Sequence, residues 1–329
     1  MLWLMSLLNQ TKIRPYKKVL EFFVQKMTLE EACAEFLLYE KSVRSLSENT
    51  VISYGKDLDA FQKFLGKDRL MDDLTLEDLR SCIGELSRQK KAAASVNRFI
   101  ASVRSLFAYC RKFQYIQNNV ALELKNVKLP RHLPVFMTGA EIDSLCECPE
   151  KTEILWAARD KALFEMLYSS GCRISEIAAL KFEDLSKDFS SAFVTGKGRK
   201  DRQVFFGKDA VEALKVYLDE RKKRFAQKEF YRQCPEVFVN QRGKKLSVAG
   251  MRWIVSVYSG TTGVNHHVSP HAFRHTFATQ MISSGADVRA VQAMLGHSSI
   301  STTQRYTHIT TEKLIEIYNH AHPHGGNKK

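Results

Sequence analysis

Ser269-Pro270-His271-Ala272-Phe273-Arg274 places an imidazole and a guanidinium three residues apart, directly after a helix-start signal. Serine followed by proline marks an N-cap and a first helical position. His271 and Arg274 then share one face of the first turn. A helix N-terminus attracts phosphate, arginine clasps it with two bonds, and an imidazole can move a proton. A capped surface helix with a polar first turn has the same sequence, so the segment alone does not decide. His275 faces elsewhere and reads as structural. Tyr306 is either a nucleophile or a core tyrosine, and His297, nine positions earlier, is unremarkable by itself.

Gly196-Lys197-Gly198 invites a phosphate-loop reading, which fails on three counts. Ser191 occupies the first glycine position, Gly198 replaces the Ser or Thr, and a strand pattern follows instead of a helix. Lys197 is then a cation at the tip of a basic hairpin, solvated or able to reach into a groove. Gly171-Cys172-Arg173-Ile174-Ser175-Glu176 puts Arg173 just after a glycine break where a helix begins. Glu176, one turn on, either orients Arg173 or pairs with it on the surface.

These residues sit in a chain of 329 residues, long enough for two domains. Hydrophobic residues at 44% and charged ones at 26% describe a globular protein and exclude a disordered or fibrous one. Lys plus Arg number 50 against 36 Asp plus Glu, a net charge of +14. Residues 1–130 carry +6 and residues 131–329 carry +8, so the expected partner is a polyanion that touches both halves. Seven cysteines without a Cys-x-x-Cys pair support neither a zinc ribbon nor a disulfide framework. No apolar run is long enough to span a bilayer, and Met1–Leu8 lacks the flanks of a signal peptide. The expected location is the cytoplasm, with no membrane partner.

Four helices are expected first. Thr28 with Glu31 forms a capping box, Ser47 caps a helix that stops at Gly66, Thr75-Leu76-Glu77-Asp78 starts a third helix, and a fourth runs over about 92–112. Residues 129–134 read as an extended, proline-bracketed linker. Thr138 with Glu141 opens a second set, with helices near 139–147, 157–170, 174–181, 208–224, 247–257, 270–284, 287–294, 300–306 and 311–320. Strands at 192–195 and 203–206 form a hairpin. The tail from His322 reads as loose.

In order and approximate spacing, Arg173, Lys197, His271, Arg274, His297 and Tyr306 resemble the tyrosine recombinases (phage integrase family), and most closely the bacterial Xer subgroup (XerC/XerD-like) that resolves chromosome dimers. The carrying segments are SENTVISYGKDLDAFQKFL, SGCRISEIAALKFEDL, VTGKGRKDRQV and SPHAFRHTFATQMISSGADVRAVQAMLGHSSISTTQRYTH. The likeness covers roughly Thr28 to His320. Residues 1–27 are an N-terminal extension beyond the family pattern, and Met27 is an alternative start.

The resemblance implies a mainly α protein: a four-helix, SAM-like core-binding domain over 28–118 and a linker over 119–137. A mixed, mostly helical catalytic domain over 138–320 would carry a small antiparallel sheet and end in a C-terminal exchange helix, with 321–329 as tail. The two domains would form a C-shaped DNA clamp. Arg173 and Arg274 would hold the non-bridging oxygens of a DNA phosphodiester, and Tyr306 would attack phosphorus to give a 3′-phosphotyrosyl intermediate. His271 would be the base and Lys197 the general acid, while His297 would donate to the phosphate or steady Tyr306. No metal, ATP or other cofactor is implied.

The implied partners are double-stranded DNA with a dif-like site and a tetramer on two duplexes. The tetramer would be homomeric or shared with a sister Xer recombinase, and a septal (FtsK-like) DNA translocase would activate it. Arg98, Arg104, Lys128, Arg131, Lys200, Arg202, Lys244 and Lys245 are candidate phosphate contacts. The competing expectations are a mobile-element or phage integrase, a type IB topoisomerase, and a non-catalytic DNA-binding protein.

Overall fold

Thr28, Ser47 and Thr75 each accept a hydrogen bond from the backbone of the turn that follows, and each begins a helix. The computed structural model describes residues 26–129, 137–152, 154–196, 201–226, 234–260, 268–296 and 310–324. Packing divides the chain into two units, Met1–His132 and Leu133–Lys329.

In the N-terminal unit, α1 (Leu29–Ser42), α2 (Glu48–Leu65), α3 (Leu76–Arg88) and α4 (Ala93–Lys112) surround one core. Helix α2 stops at Gly66, whose φ of +90° suits a residue without Cβ. One face of α4 buries Val96, Phe99, Ile100, Val103, Leu106 and Phe107 against Leu29, Phe36, Leu58 and Phe61. A short 3-10 turn, Val120–Glu123, adds Ala121 and Leu124 to the same core. Asn97 then fixes the chain beyond it by exchanging two hydrogen bonds with the backbone of Val127.

The C-terminal unit is built around α6 (Ala157–Ser170), which is buried almost all round and therefore central. Packed on it are α5 (Gly139–Thr152), α8 (Lys208–Phe225) and α10 (Pro270–Ser283). Also in this unit are α7 (Ile174–Ala179), α9 (Val248–Ser259), α11 (Val288–Leu295) and α12 (Thr311–Ala321). Strands β1 (Ser191–Thr195) and β2 (Asp201–Phe205) pair antiparallel, with Ser191 opposite Phe205 and Thr195 opposite Asp201. Helix α5 outruns the expected end at 147. It passes through Pro149 because Cys146, Cys148 and Pro149 are all buried against the core.

A second apolar cluster joins Phe205, Phe277, Met281, Val291, Met294, Leu295, Tyr318 and Ala321, so α10, α11 and α12 are held together beside β2. The chain is not loose immediately after α12. His322 is buried, and the His324 ring lies among three carboxylates, with Nδ1 3.3 Å from Glu165 and 3.1 Å from Asp209 and Nε2 3.6 Å from Asp143. Glu165 foremost raises the His324 pKa, against the opposing effect of burial. Among the described residues, no helix is long and apolar enough to cross a membrane. The expected helix at 300–306 and residues 1–25 lie outside the described residues.

Candidate active site

Helix α6 ends at Gly171, whose φ is +59°. A Cβ there would stand 2.6 Å from the Phe277 ring and 2.9 Å from Leu295, so only glycine lets α6 end against α10 and α11. The tight turn that follows delivers Arg173 at the start of α7. Glu176 reaches back to accept from the Arg173 backbone N–H at 2.8 Å and from its Nη1 at 2.9 Å. The Glu176 side chain is only 3% exposed, which decides between the two roles left open for it. It orients Arg173 from inside.

Arg274 lies on α10 and is buried, while His271, the second residue of the same helix, is exposed. They do not present one shared face, as the spacing suggested. The guanidinium of Arg274 is turned inward, with Nη1 donating to the Gly171 carbonyl at 2.9 Å and Nη2 to the Leu295 carbonyl at 2.6 Å. Both carbonyls belong to helix C-termini, where unsatisfied acceptors and the negative end of the dipole favour a cation. Ser269 occupies the N-cap position of α10, but its hydroxyl makes no capping bond.

Burial, and after it the positive charge of Arg173, lower the Arg274 pKa to about 10. It is still protonated at neutral pH. Burial by itself would raise the Glu176 carboxyl, but hydrogen bonds and charge from Arg202, with those from Arg173, outweigh it and hold it below the ordinary value.

Arg202 departs most from its expected role. It was a candidate phosphate contact, yet its side chain is 11% exposed and grips both oxygens of Glu176 at 3.0 and 2.8 Å. The expected strand began at residue 203 and left Arg202 out, whereas β2 begins at Asp201 and brings it into the alternation. Arg202 stands opposite buried Val194 and shares a face with buried Val204, so it points inward and needs a partner.

Three more candidates have partners of their own. Arg98 makes a two-pronged bond to buried Asp57 at 2.9 and 2.8 Å. Arg104 donates to the Leu124 carbonyl and to Asn126. Lys245 pairs with Glu236 at 3.1 Å, and Lys128 and Lys244 are exposed. Lys197, His297, Tyr306, Arg131 and Lys200 lie outside the described residues.

The structure thus brings Arg173 and Arg274 to one glycine turn, with a buried carboxylate steadying the first. Residues 135–313 match the phage integrase family, and residues 33–113 match the phage integrase N-terminal SAM-like domain. The chain belongs to the tyrosine recombinases of that family.

A curated relative, tyrosine recombinase XerC of Treponema denticola, is 42% identical over 304 residues, covering 90% of this chain and all of the relative. In fold, the chain is similar to a XerH site-specific recombinase bound to a difH substrate. That likeness has 23% identity and a TM-score of 0.63, over 88% of this chain and 95% of that one. A lambda integrase tetramer bound to a Holliday junction is similar at 16% identity and a TM-score of 0.67, over 84% of this chain and 76% of that one. The chain is therefore a recombinase of mainly α fold, and the arginine turn lies within the portion that matches the phage integrase family.

Proposed function

We propose that this recombinase cuts and rejoins DNA at a dif-like site through a 3′-phosphotyrosyl intermediate, resolving chromosome or plasmid dimers during cell division. The observation that carries this is the meeting of Arg173 and Arg274 at the Gly171 turn, one arginine steadied by Glu176 and the other by helix-end carbonyls. Two guanidiniums with unbalanced charge suit the non-bridging oxygens of a phosphodiester, whose charge grows in the pentacovalent transition state.

Tyr306 Oη forms the bond to phosphorus, and the bond from phosphorus to the 5′-oxygen breaks. His271 takes the tyrosine proton, which at a free pKa of about 10 needs a base. Lys197 gives a proton to the leaving 5′-oxygen, and His297 donates to the phosphate or steadies Tyr306. The ester conserves the bond for rejoining, so neither metal nor ATP is required.

The helical domain 28–118 and the catalytic domain 138–320 are both assigned to contact with the duplex. Four protomers act on two duplexes, alone or with a sister Xer recombinase, under a septal DNA translocase. Helix α12 packs on its own unit in the single chain, through Tyr318, and is the segment we assign to exchange between protomers. Identity of 42% over the whole of a XerC relative favours the Xer role over a mobile-element integrase.

The test is a nicked duplex carrying the host's candidate site, incubated in EDTA without ATP. A denaturation-resistant protein–DNA band that disappears in Tyr306→Phe is the expected result. A band that survives Tyr306→Phe would overturn the nucleophile assignment.

A further inference from the structure

We propose that Arg202 is a positioning residue for strand cleavage: it balances Glu176 so that Arg173 keeps its charge for the phosphate, and it locks the turn that Arg274 also holds. This inference rests on the role proposed above for Arg173 and Arg274. The Glu176 carboxylate accepts four hydrogen bonds. Its Oε1 takes Arg173 Nη1 and Arg202 Nη1, while Oε2 takes Arg202 Nη2 and the Arg173 backbone N–H. All of its lone-pair directions are filled.

With one carboxylate between two guanidiniums, Arg173 is oriented without being neutralised. Without Arg202, a buried carboxylate would have Arg173 as its sole bonded cation among the described residues, and the pair would cancel where an anion must bind.

The third edge of the Arg202 fork points elsewhere. Nε donates to the Met294 carbonyl at 2.8 Å, and Arg274 takes the next carbonyl, Leu295, at 2.6 Å. Two arginines from different elements therefore satisfy adjacent orphan carbonyls at the end of α11. Gly296, which follows with φ +66°, lies so close that an added Cβ would stand 3.1 Å from Arg202 Cδ. Arg202 thus touches the Arg173 turn, the sheet and the α11 end at once. Lysine has one charge centre and cannot reproduce a fork that serves a carboxylate and a carbonyl together.

The experiment compares single-turnover cleavage of the nicked duplex by the full chain and by Arg202→Lys, Arg202→Met and the double variant Arg202→Met/Glu176→Gln. Affinity for the same duplex and melting temperature are measured alongside. Arg202→Met is expected to slow cleavage about 10²-fold with affinity retained, and Arg202→Lys to fall between it and the wild type. Adding Glu176→Gln removes the unbalanced charge and is expected to restore part of the rate.

A merely structural pair would compound its losses in the double variant, and that result overturns the proposal. So does wild-type cleavage by Arg202→Met, or a defect confined to affinity with a shallower salt dependence, which would make Arg202 a phosphate contact. Orthovanadate binding to the free protein, read as a thermal shift, should follow the same order, with rescue in the double variant. It needs no strand cleavage. A wild type that forms no covalent complex would count against the proposed function, and the vanadate series would still decide the role of Arg202.

Discussion

Arg98 and Arg69 of the N-terminal unit keep different company from Arg173, Arg202 and Arg274 of the C-terminal unit. In the N-terminal unit, Arg98 closes a two-pronged pair with Asp57, and Arg69 closes another with Asp78 at 2.9 and 3.0 Å. Each guanidinium has a carboxylate of its own, so each pair is close to neutral. In the C-terminal unit, Arg173 and Arg202 share the single carboxylate of Glu176, and Arg274 is held by two carbonyls. Carbonyl dipoles fix a guanidinium in place without cancelling its charge. A surface count of basic residues treats both arrangements alike, although only the second leaves positive charge for a ligand.

The sharpest way to break this contrast is Arg274→Ala. It removes one of the two proposed phosphate donors, and a loss of about 10²–10³ in cleavage rate is expected, read by single-turnover trapping with duplex affinity measured in parallel. A rate within a few-fold of wild type would mean that the inward guanidinium takes no part.

Gly171→Ala attacks the turn and not the charge. The added Cβ collides with the Phe277 ring at a positive φ, and a loss of about 1–3 kcal/mol in denaturant-measured stability is expected, together with slower cleavage. Full stability would show that α10 and α11 can move away freely.

Arg98→Ala tests the other side of the comparison. Its expected effect is a stability loss of about 1 kcal/mol, with the slope of log affinity against log salt unchanged. A slope shallower by about 0.9 would instead make Arg98 a phosphate contact.

An effect of similar size, confined to part of the pH range, is an acid one in the N-terminal unit. Arg69 foremost, and then the Thr75 backbone N–H, lower the Asp78 pKa to about 2. A depressed carboxyl stabilises the fold above its unfolded value of about 4. That contribution disappears as pH falls through 2. Wild-type stability should therefore exceed that of Asp78→Asn by about 1 kcal/mol at pH 6. The two should converge toward pH 2, as followed by urea melts.

What the sequence disclosed follows the range of the interactions involved. Capping boxes at Thr28 and Thr138 span three residues, and the structure forms both; the helix start read at Thr75 proves to be a third. The hairpin and most helix limits were equally legible, because burial with period two or 3.6 is a local pattern. Arg202 was misread because its charge was weighed without its strand face. His324 was misread because its partners, Asp143, Glu165 and Asp209, come from three helices and no local pattern announces them. The apolar stripe of α12 shows that it must be covered, while the identity of the covering chain is a tertiary fact. In the single chain, Tyr318 meets Phe205 and shares a hydrogen bond with Ser169.

The uncompensated charge of Arg173 and Arg274 can be tested most directly by changing the charge of the substrate. A duplex with a neutral methylphosphonate at the scissile position would be compared with the ordinary phosphodiester, using wild type, Arg173→Ala and Arg274→Ala. Both variants should be strongly impaired on the phosphodiester and markedly less so on the methylphosphonate, where less negative charge develops. Equal impairment on both substrates would contradict a role in charge neutralisation and reduce the two arginines to parts of the scaffold.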